Sequence, residues 1–240
     1  MAELRDGRVY ISPRFSVSFQ RAEWVRTPRP DPPHNLGALP VHRVDDYRDL
    51  VPGDWQAMSG VFLPLLPEEA IWLGFSASSE QPSAVQIELA RVNAVSGMPS
   101  TPLLAEQPQN YLVCPPQLHW DGIYRNGSIQ PFTAEELWLS PGVFKTLRII
   151  AYGPLSGRHF PASTARTTGP QPLHASIPRS APPGSSAPLP DPYGVHTWDQ
   201  KSGSALAAYF LPPEEYQRIT GQPPPPPRQR KDVFTRYYLP

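Results

Sequence analysis

The chain has 240 residues and no formal net charge, with 21 basic against 21 acidic side chains, and its 35 prolines and 16 glycines supply about a fifth of the residues, against roughly 12% in average usage. Neutral balance excludes the electrostatic footprint of nucleic-acid binding and of polybasic membrane adhesion, and a hydrophobic fraction of 39% is too high for a chain disordered throughout. The lone Cys114 can close no intramolecular disulfide and cannot build a thiolate zinc cluster.

In chain order, residues 14–20 alternate as Arg-Phe-Ser-Val-Ser-Phe-Gln, putting Phe15, Val17 and Phe19 on one face; this predicts a half-buried strand with residues 9–11 as a short partner. Prolines at 28, 30, 32, 33 and 40 predict an extended surface loop over 27–40, because proline cannot donate to a ladder. Residues 45–58 read as two short helical turns broken at Pro52-Gly53. Strand-like runs follow at 61–66 and 70–75, then at Val85, Ile87 and Leu89 with their polar alternates, then at 110–114. Asn126-Gly127 is the strongest hairpin signal, and 143–152 is the best remaining strand before 204–211, whose apolar run predicts a return to the main body. Two helix starts are well signed. Thr133-Ala134-Glu135-Glu136 has capping-box spacing, and Pro212-Pro213-Glu214-Glu215 opens a helix that Arg218 and Gly221 suit at its end.

Short strands separated by turn signals predict a mainly β fold, an antiparallel sandwich or barrel-like body with two or three short helices and long proline-rich loops. Residues 1–222 are expected to form a single β-rich domain. Within it, 154–192 carries ten prolines and is either a linker or an ordered surface excursion. Residues 223–240 form a proline-rich, then basic and aromatic, tail. The first residues lack the apolar core of a secretory signal and no run approaches the ~18 apolar residues of a membrane span, so a cytoplasmic location without membrane contact is expected.

Several blocks resemble a family of uncharacterised microbial proteins: His42-Arg43-Val44-Asp45-Asp46-Tyr47, Gly60-Val61-Phe62-Leu63-Pro64, Glu69-Ala70-Ile71-Trp72-Leu73-Gly74-Phe75, Val92-Asn93-Ala94-Val95-Ser96-Gly97, Pro108-Gln109-Asn110-Tyr111-Leu112-Val113-Cys114-Pro115, and Asp191-Pro192-Tyr193-Gly194 with Trp198-Asp199-Gln200. The resemblance carries no activity and no site residues. It implies that 1 to about 222 is one unit. One departure is that the family's Val-Arg-Gln-Phe step reads Ile129-Gln130-Pro131-Phe132 here, without the arginine.

Candidate chemistry is sparse. The six histidines show no paired spacing for a helix-borne metal site, no phosphate loop or dinucleotide fingerprint occurs, and neither a cofactor nor a metal is expected. His119-Trp120-Asp121-Gly122 sets a titratable ring beside a carboxylate at a turn, so His119 and Asp121 are the candidates for a general acid–base pair; the plainer reading is a tight turn with Trp120 plugging the core. Trp120 and Tyr124, with Trp72 and Trp138, could form an aromatic platform for a sugar or a peptide. Cys114, in an apolar run before two prolines, reads as an inert buried thiol. The tail is the sharpest feature. Pro223-x-x-Pro226-x-Arg228 has the spacing of a polyproline II ligand for an aromatic-lined groove, and Phe234, Tyr237 and Tyr238 follow it. The expected function is a non-catalytic binding or structural protein with a protein partner, a carbohydrate being a second possible ligand. The alternative is a hydrolase, carbohydrate-active in one version, using His119 and Asp121.

Overall fold

The computed structural model describes residues 2–23, 35–58, 60–140, 143–160 and 188–227. The alternating segment near the start builds one sheet. Strands β1 (Glu3–Arg5) and β2 (Arg8–Ser12) turn on Asp6 and Gly7, both at positive φ, and β3 (Phe15–Glu23) continues the antiparallel meander. Part of the expected 27–40 loop is instead a strand: β4 (Asn35–Ala38) pairs with β3. It falls between Pro33 and Pro40, so its ladder donors are intact. After β5 (His42–Arg43), the two anticipated helical turns appear as a 3-10 turn at Val44–Tyr47 and as α1 (Gly53–Met58).

Next come β6 (Gly60–Pro64), β7 (Glu69–Ala77), β8 (Ser83–Leu89), β9 (Val92–Asn93), β10 (Leu112–Cys114) and β11 (His119–Trp120). The hairpin of β12 (Gly122–Arg125) with β13 (Ser128–Thr133) turns on Asn126 at φ 51 and Gly127 at φ 83, the two left-handed residues of a type I′ turn. Helix α2 (Ala134–Leu137) is capped by the Thr133 hydroxyl, which accepts from the Glu136 amide at 3.3 Å. Only half of the expected capping box forms. The Glu136 carboxylate turns away to Arg125, at 2.8 and 2.9 Å, and to Lys145. The single strand expected over 143–152 is also divided: β15 (Val143–Phe144) folds back on β14 (Trp138–Ser140), and β16 (Leu147–Tyr152) enters the second sheet. Last are β17 (Ser204–Leu211) and α3 (Pro213–Thr220).

The first sheet runs β1-β2-β3-β7-β13-β12, with β4 beside β3 and β11 beside β7; the second runs β10-β8-β16-β17-β6-β5, with β9 beside β8. Pairing is antiparallel except for β6 with β17, which is parallel. Strand β17, which follows the long proline-rich stretch, therefore occupies the middle of the second sheet.

The inner faces supply the core. Val9, Phe15, Val17, Phe19 and Leu73 of the first sheet meet Leu63, Val85, Ile87, Ile149, Leu206 and Phe210 of the second, and Phe19 meets Phe210 edge to face at 5.9 Å between ring centres. The outer face of the second sheet is covered as well. Around α1 and α3, Trp55 stacks flat on Tyr209 at 4.1 Å and packs with Phe62, Tyr216 and Ile219. At the other half Tyr111, Trp198 and Leu104 cover Ala84 and Ile150, and Asp191 joins them by accepting from the Tyr111 hydroxyl at 2.6 Å and the Trp198 indole at 2.8 Å. Burial on both faces explains why β6 and β17 are nearly continuous apolar runs, whereas β3, buried on its core side, alternates. Among the described residues no helix is long and apolar enough to cross a membrane.

Candidate functional site

Two places bring together the residues that the sequence singles out. The first is the proline tract. Helix α3 ends at Gly221, left-handed at φ 68, whose amide reaches the Gln217 carbonyl at 2.9 Å. The helix is held to the body by His42, whose ring stacks on Phe62 and whose Nε2 lies 2.8 Å from the Tyr216 hydroxyl, with Tyr47 Oη 3.3 Å from Nδ1. Burial holds the His42 imidazole below its ordinary range, against a smaller opposing pull from Asp46.

Beyond Gly221 the chain is fixed by a buried ion pair. In β3 the core-facing series Phe15, Val17, Phe19 continues into Arg21, which lies opposite Ile71. Arg21 and Glu69 are only 7% and 4% exposed, and a cation placed there needs a partner because desolvation of an unpaired charge costs several kcal/mol. Glu69 supplies it: Arg21 Nε donates to Oε2 at 2.9 Å and a terminal nitrogen donates to Oε1. That same terminal nitrogen donates to the Pro226 carbonyl at 3.0 Å. Pro224 and Pro225 are half-buried, while Pro223, Pro226 and Pro227 are exposed. With three residues per polyproline II turn, positions 223 and 226 share one ridge. The expected Pro-x-x-Pro pair therefore faces outward from a tract whose other side rests on the body. Arg228, Phe234, Tyr237 and Tyr238 lie outside the described residues.

The second place is the outer face of the first sheet. There His119 is opposite Gly74, which is in turn opposite Ser18. Arg8 reaches across this row: Nε donates to Ser16 Oγ at 2.8 Å, one terminal nitrogen to Ser18 Oγ at 3.1 Å, and the other to the Ser16 and Gly74 carbonyls at 3.1 and 2.9 Å. Gly74 is required at the centre, since a Cβ would stand 2.8 Å from Ser18 Oγ and 3.3 Å from the Trp72 ring. Trp72 meets the His119 ring edge to face at 6.4 Å, and its Nε1 is buried without a hydrogen-bond partner.

Asp121, two residues beyond His119, also has a buried and unpartnered oxygen, Oδ1. Burial pushes its carboxyl above the ordinary aspartate range, with His119 a smaller opposing influence. Among the described residues no hydrogen bond joins His119 to Asp121, and His119 acts on the Asp121 carboxyl only through its charge. Trp120 points the other way. It is 0% exposed and donates its indole N–H to the Gly122 carbonyl at 2.6 Å, which leaves no ring face for a ligand. Tyr124 is half-buried against the core. Cys114 is buried, its thiol pushed up to about 12 by desolvation, so it carries almost no thiolate at neutral pH. Among the described residues no group of three or more His, Cys, Asp or Glu side chains is placed to hold a metal ion.

Motif and spacing in the sequence do not single out Arg8, the Arg21–Glu69 pair or His42. A signal for the ion pair was present, because Arg21 and Glu69 each extend the odd-numbered apolar series of a strand. A charge in a core register implies a buried partner. Arg8 carried no such mark, since it alternates outward like any surface residue. Comparison of the chain with protein-family models, with curated proteins and with solved structures gives no match.

Proposed function

We propose that the protein is a non-catalytic interaction module that offers its C-terminal proline tract to an aromatic-lined groove on a protein partner. One observation supports this above the others: Arg21 holds the Pro226 carbonyl while Pro223 and Pro226 stay exposed on one ridge. A tract already extended and anchored loses little conformational freedom on docking, and preorganisation of this kind raises affinity without new contacts. The cation of Arg228, two residues beyond Pro226 in sequence, suits an acidic rim of such a groove.

The test is calorimetric titration of the full chain into a panel of isolated SH3 and WW domains, beside a chain truncated after Gln222. At least one domain binds the full chain, and the truncated chain remains folded and binds none. Equal binding by both chains, or none by the full chain across the panel, contradicts the reading.

A further inference from the structure

We propose that Arg8 and Arg14 form the charged end of a second site, on the outer face of the first sheet, that takes a small hydroxylated carboxylate. Arg8 carries an unbalanced charge. Arg8 is partly buried, and its four hydrogen bonds all go to neutral oxygens: two serine hydroxyls and two backbone carbonyls. Among the described residues no carboxylate lies within ion-pair distance of Arg8 or of Arg14. Hydrogen bonding alone does not repay the desolvation of a guanidinium, which is why buried arginines are ordinarily found with a counter-charge. The other internal arginine of this sheet, Arg21, has one in Glu69.

On the same sheet, a groove of about 360 Å³ is lined in part by Ser16, the residue that accepts from Arg8. Tyr10, Ser16 and Ser76 form a cross-strand row along it, Arg14 and Gln81 border it, and no acidic side chain lines it. Ser16 joins the two features, since it lines the groove and its hydroxyl accepts from Arg8 Nε at 2.8 Å. A ligand there meets hydroxyl, phenol and amide partners along its body and positive charge at one end. The chemistry that fits is a carboxylate on a hydroxylated skeleton. Four of the five Arg8 N–H groups are already committed and Arg8 does not itself line the groove, so it acts there through Ser16 and its field, while Arg14, exposed at the rim, is free to approach with its planar fork. One free planar fork matches the two oxygens of a carboxylate better than the three of a phosphate. This site is separate from the proline tract, and neither proposal depends on the other.

The probe is sodium gluconate, added to the full-length protein at ionic strength held constant with sodium chloride, and the readout is the NMR signal of the arginine Nε–H groups. The Arg8 signal shifts and saturates, glucose at the same concentrations leaves it unmoved, and Arg14→Gln weakens gluconate binding roughly tenfold or more, as expected for loss of a charge-assisted pair. Arg8→Gln weakens it as well if that variant folds; Arg14→Gln carries the test if it does not, because Arg14 is exposed and among the described residues its side chain holds no other group. A shift that never saturates, an equal response to glucose, an equal or larger response to inorganic phosphate, or unchanged affinity in Arg14→Gln each overturns the proposal.

Discussion

Arg21 donates to the carbonyl of Pro226 at 3.0 Å, joining the third strand to a residue 205 positions further along the chain. Because its Nε is held by Glu69 at 2.9 Å, the guanidinium is fixed before the proline tract reaches it. The ion pair therefore serves two purposes, neutralising a charge in the core and providing a rigid anchor for the tract.

Breaking that pair on one side strands a buried charge. Glu69→Gln is expected to cost about 3–5 kcal/mol in equilibrium denaturant unfolding. The double variant Arg21→Met with Glu69→Leu is expected to be more stable than Glu69→Gln alone, since no charge is left unpaired. The double variant also loses the donor to Pro226, so the Pro223–Pro227 signals in carbon-detected NMR should show greater mobility without global unfolding.

The contact between the sheets rests on aromatic packing. Phe210 is fully buried and meets Phe19 edge to face, so Phe210→Ala removes its burial and leaves a cavity between two rigid sheets. A loss of about 3–5 kcal/mol is expected, read from the denaturation midpoint at unchanged slope.

Gly127 isolates the effect of backbone conformation. Its φ is 83 and nothing lies within 4 Å of a Cβ placed there. Gly127→Ala is therefore expected to destabilise by about 1 kcal/mol through strain alone, with the β12–β13 cross-strand contacts preserved in the NMR spectrum.

Two groups give the stability opposite pH slopes. Burial holds His42 below its usual value of 6.5, so the unfolded chain takes up protons that the folded chain refuses, and stability is lost as pH falls from about 6.5 toward the folded value. Asp121 is held above its usual value of 3.8, so the folded chain keeps a proton that the unfolded chain has released, and stability is lost as pH rises from about 3.8 through the folded value. In unfolding measured across pH, His42→Gln should remove the first slope. Asp121→Asn should remove the second and raise stability at neutral pH. Slopes unchanged by either substitution would count against these assignments.

Much of the architecture was legible because hydrophobic pattern and turn chemistry agree. Phe15, Val17 and Phe19 alternate as a half-buried strand must, Asn126-Gly127 supplies the left-handed pair of a two-residue turn, and Gly221 closes α3. What was not legible depends on distant partners. Glu136 left the capping box for Arg125 and Lys145, which no local rule anticipates. Residues 35–38 joined β3 although prolines surround them, because an open sheet edge was available. The parallel pairing of β17 with β6 brings together segments about 145 positions apart in sequence. At the candidate site the sequence located the tract and the His119-Asp121 neighbourhood. It could not reveal that Trp120 faces inward or that Arg8 lies across Ser16, Ser18 and Gly74.

Whether Pro223 and Pro226 form the working ridge is decided by the affinity of two paired variants for whichever SH3 or WW domain binds the full chain. Pro223→Ala with Pro226→Ala should weaken binding about tenfold or more, equivalent to ~1.4 kcal/mol or more. Pro224→Ala with Pro225→Ala changes the side resting on the body and should leave affinity within about a third of that free energy. Equal losses in the two pairs, or a larger loss in the second, would contradict it.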